Sequence, residues 1–405
     1  MKRLQLKTGW ISLAILLPSL LFSQKIDRKA VVQRHNVAVA KIDSLSSLSV
    51  GNGNFAFTVD ATGMQSFPDA YAKGVPLGTQ SVWGWHSFPN TEKLGIEEAQ
   101  KTYDLEGRKI SYTVQPKEPE RARKAVEYFR VNPHRLQLGN IGMEIKKKDG
   151  SLATAGDIEN ISQTLDLWTG VISSTFTVEG TPVKVLTVCH QQKDILGFKI
   201  ESPLISSGRI FIRIRFPYPN GQWKDVGNNW NDAIDGNSFL EKCYGGYIIH
   251  RRLDSAKHNL SLSWQTPAVD STVNKNYFLF KPVGNTSGLC EFTCSFNKNE
   301  TGFNSIKFSE LLGNSIKSWQ KFWLSGGAID FSQVKDKRAF EIERRAILSQ
   351  YLTKIQCSSD FPPQETGLTY NSWYGKPHLE MHWWHAVHFA QWGRPELMEK
   401  SLDWY

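Results

Sequence analysis

Arg209-Ile210-Phe211-Ile212-Arg213-Ile214-Arg215-Phe216 changes character at almost every step. Successive side chains of a strand point to opposite faces. Ile210, Ile212, Ile214 and Phe216 therefore share one face, and Arg209, Phe211, Arg213 and Arg215 the other. A period of two with one apolar face predicts a half-buried strand. The same period recurs on both sides of it, at residues 109–114, 174–178, 183–188, 195–200, 260–264 and 277–280, with Gly, Pro, Asn or Asp between the runs. Many strands and few helical stretches between residues 31 and 296 predict a large β-sandwich.

Beyond Asn299 the period lengthens. Residues 308–324 carry Leu311, Leu312, Ile316, Trp319, Phe322 and Trp323 at helical spacing, and Gly326-Gly327 ends the run. A second helix is predicted over residues 335–356, with Phe340, Ile347, Tyr351 and Ile355 on one stripe and Glu341, Glu343 and Arg345 off it. Arg344 falls inside that stripe and Ile342 opposite, as in a helix contacted on two sides. A third helix is predicted over residues 378–392, between Pro377 and Gly393-Arg394-Pro395, and a fourth from Pro395.

The chain has 405 residues, 48 Lys and Arg against 39 Asp and Glu, and 12% aromatic content, which excludes global disorder. Residues 1–24 read as an export signal: Lys2, Arg3 and Lys7, then an apolar run from Trp10 to Phe22, then the small Ser23. Cleavage near Ser23 is expected, giving a periplasmic or secreted protein with no membrane span in the mature chain. Removing those three basic residues from 48 leaves a net charge of +6 against 39 acidic ones. Apart from Lys146-Lys147-Lys148 no block of like charge stands out, so nucleic acid is not the expected partner. The five cysteines form no metal pattern. Cys290 and Cys294, two steps from each other on one strand face at about 3.3 Å per residue, are too far apart for a disulfide and are read as core.

The chemistry concentrates near residue 380. The last 33 residues hold four of the ten His and five of the fourteen Trp. Trp373, Lys376, His378, Glu380, His382 and Trp383 combine aromatic faces that stack on sugar rings with groups that bind hydroxyls, although an aromatic-rich helix packed between neighbours would read the same way. His378, His382 and His385 share one side of the predicted helix, whereas Glu380 points away but lies in the first turn, where the helix dipole favours an anion. His378 and His385 stand about 10 Å apart along the axis, awkward for one zinc, so no metal or other cofactor is expected. A second candidate is the loop at residues 217–232, where Trp223 and Trp230 stand among Asn, Gln and Asp; it reads either as a sugar site or as a structured surface loop. Gly51-Asn52-Gly53-Asn54 reads as a tight strand connection, since no helix follows it.

Three segments carry a resemblance: Ser49-Val50-Gly51-Asn52-Gly53-Asn54-Phe55-Ala56-Phe57, Leu165-Asp166-Leu167-Trp168-Thr169-Gly170 and Ser318-Trp319-Gln320-Lys321-Phe322-Trp323. They resemble glycoside hydrolase family 65 and its six-hairpin relatives, inverting enzymes that hydrolyse or phosphorolyse α-glucosides. The resemblance implies a multidomain chain: a signal peptide (1–23), a β-sandwich (24–300), a helical linker (301–330) and the first helices of an (α/α)6 barrel (331–405), the remainder lying beyond this chain. Where the family has a Phe-Trp-Asp sugar-binding motif after a Gly, this sequence has His378-Leu379-Glu380 after Gly375, so only Glu380 inherits an implied sugar contact. The family's general acid lies downstream, which leaves the catalytic residues unassigned here. The implied function is an exported glycoside hydrolase, or a fragment of one, acting on oligosaccharides or polysaccharides; the export signal favours hydrolysis over phosphorolysis. A non-catalytic carbohydrate-binding protein is the alternative.

Overall fold

The computed structural model describes residues 26–230, 238–283, 286–299, 303 and 305–405. The expected signal at 1–23 lies outside them, as do Asn231 and Asp232 of the second candidate loop. The chain is a multi-sheet β-rich fold followed by helices.

The largest sheet has nine antiparallel strands. In spatial order they are Val37–Val39, Glu159–Asp166, Val171–Val178, Thr181–Cys189, Ile195–Glu201, Leu289–Asn297, Ala256–Trp264, Gly246–Leu253 and Phe239–Cys243. Alternation gives this sheet two working faces. Leu196, Phe198 and Ile200 enter the main core, while Ile195 and Val188 join Phe308 and Leu311 on the other side. Phe198 pairs in register with Phe292, Leu196 with Cys294 and Ile200 with Cys290, so both cysteines are core residues as the spacing predicted. A four-stranded sheet covers the core face: Phe280, on Tyr277–Pro282, packs on Tyr247 and Trp264 at centroid distances of 5.0 and 5.7 Å. The quoted strand, Ile210–Arg215, is a member of that sheet, and its Ile210, Ile212 and Ile214 are fully buried. Residues 109–114 depart from the pattern, because Arg108–Thr113 pairs only with Gln100–Leu105 in an exposed hairpin.

Among the described residues five helices exceed five residues: α1 (Arg28–Gln33), α2 (Glu120–Val131), α3 (Phe308–Leu324), α4 (Arg338–Cys357) and α5 (Leu379–Gln391). Among the described residues no helix is long and apolar enough to cross a membrane. Helix α3 occupies the predicted residues and docks on the segment that links two strands of the large sheet. The Trp323 indole donates to the Leu167 carbonyl at 2.6 Å and the Ser315 hydroxyl to the Thr169 carbonyl at 2.9 Å. Gly170, at φ 67°, lies so close to the Trp319 indole that a Cβ there would stand 2.0 Å from Nε1. Gly170→Ala is expected to destabilise the protein by about 2–5 kcal/mol, from left-handed strain plus overpacking. A urea midpoint equal to the parent's would show that α3 can withdraw freely.

Helix α4 differs from its predicted stripe. Ile347, Tyr351 and Ile355 are buried, but Phe340 is 57% exposed and Glu343, expected off the stripe, is buried. Glu343 is accepted inside because its charge is met there. His35 Nε2 lies 2.6 Å from Oε1, Arg34 donates to both oxygens at 2.8 Å, and the Phe331 N–H donates to Oε2. Burial opposes ionisation, yet these donors outweigh it and hold the carboxyl below its ordinary range. The Tyr351 hydroxyl donates to the Ser49 carbonyl at 3.0 Å, and Gly51 abuts Ile355. Of the three segments quoted from the sequence, the first thus packs on α4 and the second on α3, which contains the third.

The C-terminal carbonyls of α3 receive two arginines. Arg28 donates to the carbonyls of Trp323, Ser325 and Gly326, and the buried Arg394 to those of Phe322 and Ser325. Cations at this end satisfy orphan carbonyls and complement the helix dipole.

Candidate functional site

The loop after α4 and the loop after the strand Ile210–Arg215 meet at one place. The Tyr374 N–H donates to the Trp223 carbonyl at 3.1 Å, and the Asp225 N–H to the Asn371 carbonyl at 3.2 Å. Within the 217–230 loop the buried Asp225 accepts from the Asn220 and Gly227 N–H groups, which fixes the turn that presents Trp223. Trp223 and Trp373 then pack edge to face with centroids 5.0 Å apart. His378 stacks on Trp373 at 6.0 Å with 21° between the planes, and its Nδ1 lies 3.7 Å from Glu380 Oε1. The Lys224 ammonium sits 4.8 Å from the centroid of Tyr370. Trp223 and Trp373 remain 44% and 38% exposed, so they offer an open aromatic wall beside an imidazole and a carboxylate. Such a wall can stack on the apolar face of a sugar ring while the polar groups reach its hydroxyls.

The turn that carries Trp373 is held under strain. Trp373 and Tyr374 have φ of 50° and 59°, and Gly375 follows at 67°. Two adjacent non-glycine residues in the left-handed region cost on the order of 1–3 kcal/mol each. At Gly375 a side chain is impossible, since its Cβ would fall 2.2 Å from Arg135 Cβ. Polar atoms are also left over in this neighbourhood: Gln364 Oε1, Glu365 Oε2, Asn371 Oδ1, Arg135 Nε and the Nδ1 atoms of His378 and His385 are buried without a hydrogen-bond partner. Each such atom costs about 1–3 kcal/mol. Strain and unsatisfied groups together mark a segment shaped by something other than stability.

The remaining predicted residues have other partners. Lys376 donates to the Phe129 and Asn132 carbonyls at 2.9 and 3.3 Å, tying the turn to the end of α2, and burial lowers its pKa. His382 is buried with both ring nitrogens engaged, by Tyr405 Oη at 3.0 Å and Ser401 Oγ at 2.8 Å. Trp383 projects from α5, 61% exposed, next to Trp384. Trp230 lies against the Arg215 guanidinium at 4.4 Å and lines a different cleft, of about 340 Å³, with Arg213 and Glu144. The structure thus gathers Trp223, Trp373, His378 and Glu380, and gives Lys376, His382 and Trp230 to other contacts.

Two features carry no sequence signal. Glu365 approaches the site, beside the His385 that shares a helix side with His378, without belonging to any recognisable spacing. Behind Lys376, His86 Nδ1 lies 3.0 Å from His134 Nε2, and His86 Nε2 2.8 Å from Asp254 Oδ2. Burial, then His86 and Lys376, push His134 down to about 4.

No family model and no curated protein matches the sequence. Solved structures do match. A protein described as a kojibiose phosphorylase, from the human microbiome, aligns at a TM-score of 0.56 and 10% identity, over 91% of this chain and 48% of its own. A bacterial glucoamylase solved with acarbose aligns at a TM-score of 0.50 and 10% identity, over 91% of this chain and 51% of its own. The chain spans about half the length of the structures it matches. At this identity the likeness is one of fold, and the multi-sheet β-rich fold with its following helices is compatible with the β-sandwich and partial helical domain that the three sequence segments implied.

Proposed function

We propose that Trp223, Trp373, His378 and Glu380 form the sugar-contacting wall of an exported glycoside hydrolase that acts on oligosaccharide glycosidic bonds with inversion of configuration. The observation that carries this reading is the meeting of Trp223 and Trp373 on a strained turn, from loops distant in sequence. The likeness to a kojibiose phosphorylase and to a glucoamylase solved with acarbose supports a sugar as the ligand. Glu380, whose side chain is 77% exposed in the first turn of α5, is placed to accept from a hydroxyl. Inversion needs two carboxyl groups about 6.5–9.5 Å apart across the bond, so Glu380 is assigned binding and not the whole chemistry.

The test is a panel of oligosaccharides titrated against the protein by calorimetry. Trp223→Ala and Trp373→Ala are each expected to weaken the best ligand about tenfold, the loss of one stacking contact. Binding that both variants retain unchanged would refute the site. Hydrolysis further requires reducing sugar released without added phosphate; strict phosphate dependence would overturn that part. The exposure of Glu380 equally favours a second reading, sugar binding without catalysis, in which saturable binding is accompanied by no turnover.

A further inference from the structure

A cleft of about 240 Å³ opens between helices α3 and α4, the turn at residues 396–400 and the loop after Cys189, lined by Gln191, Lys321, Lys354, Glu396 and Lys400 among others. It shares no lining residue with the aromatic wall, and its argument does not depend on the function proposed for that wall.

Its charge is unbalanced. Three lysines line it against one carboxylate, Glu396, which is exposed at the rim. Lys354 is only 9% exposed, and its ammonium is fixed in place: Nζ donates to Gln191 Oε1 at 2.6 Å and lies 4.0 Å from the centroid of Trp319. Gln191 is itself fixed, donating through Nε2 to the Gly51 and Cys189 carbonyls. Among the described residues no carboxylate forms an ion pair with Lys321, Lys354 or Lys400. Burying an ammonium without a counter-charge is costly, and proteins ordinarily pair such groups. A neutral amide and an aromatic face compensate only part of that cost.

We propose that this cleft binds a small tetrahedral oxyanion, sulfate or phosphate, either free or carried on a sugar. Lys321, Lys354 and Lys400 would meet it, each through charge-assisted hydrogen bonds. Burial already pushes the Lys354 amine down to about 7, with Lys400 adding to the effect, and a bound dianion would restore its charge. The bound anion would also join α3, α4 and the turn at residues 396–400 to the loop after Cys189, bracing the helices on the sandwich.

The probe is sodium sulfate, which does not titrate in the working range, added by calorimetry at constant ionic strength against chloride. Saturable binding is expected with a dissociation constant on the order of 1 mM or tighter. Lys354→Met keeps the aliphatic stem and removes the charge, and is expected to weaken binding roughly tenfold or more. Lys400→Ala, at a less buried position, is expected to act in the same direction and carries the test if the first variant does not fold. Glucose 6-phosphate in the same assay separates the sources, since binding tighter than sulfate assigns the site to a phosphorylated sugar and binding no tighter assigns it to the free anion. No saturable heat beyond chloride, or sulfate affinity unchanged in both variants, would overturn the proposal.

Discussion

Glu343→Ala should lower the free energy of unfolding by about 3–5 kcal/mol, the range seen when one member of a buried ion pair is removed. Glu343 and His35 have side chains 1% and 0% exposed, so the loss cannot be made good by water. The variant strands the His35 imidazole and the Phe331 N–H, and leaves the Arg34 guanidinium with Asp330 as its remaining partner. Glu343→Gln keeps the shape and one acceptor, and should cost less than the alanine variant. Urea unfolding at pH 7 decides the matter. A loss below about 1 kcal/mol, the net worth of an ordinary hydrogen bond, would mean that α1 contributes little to holding α4.

Acid should weaken the fold as soon as the pH falls below about 6.5. Burial pushes His258 and His134 down to about 4, and each is almost inaccessible. His258 is held neutral with Nε2 on the Leu138 carbonyl at 2.9 Å. An unfolded imidazole titrates near 6.5, so between about 6.5 and 4 the unfolded chain binds protons that the folded chain refuses. This contribution is complete above about pH 6.5 and is lost as the pH falls towards 4. Each group accounts for about 1.4 kcal/mol per pH unit, on the order of 3 kcal/mol across that window. Urea midpoints at pH 7 and pH 5 should therefore differ strongly, and His258→Gln, which cannot charge, should remove a large share of the difference. Equal midpoints in the parent would refute the assignment.

The β-rich part was legible because its strands bury apolar residues at every second position. Leu196, Phe198, Ile200, Ile210, Ile212 and Ile214 all enter the core, although residues 195–198 and 210–212 are buried on both faces. Helix α3 was legible for the same reason, its apolar spacing being set by the sheet it covers. Helix α2 was not, since half of its twelve residues are charged and only Ala125 is buried. On α4 the stripe misled at Phe340 and Glu343, because the partners that bury Glu343 come from residues 34 and 35. At the candidate site, composition pointed to both tryptophan loops, but their contact is a property of the fold. The engagement of His382 by Ser401 and Tyr405 was equally hidden, since neither partner follows a spacing rule.

The two arginines on the end of α3 set an order of events. Arg28 precedes every strand, whereas Arg394 follows α5, yet both donate to the carbonyl of Ser325. During synthesis the first can reach that oxygen as soon as α3 has left the ribosome. The second becomes available only when almost seventy further residues have emerged. The sheets and α3 can thus be assembled while the clasp is half made, and the helices beyond join a platform already formed. Residue 394 is accordingly the point in synthesis at which the clasp on the end of α3 is completed.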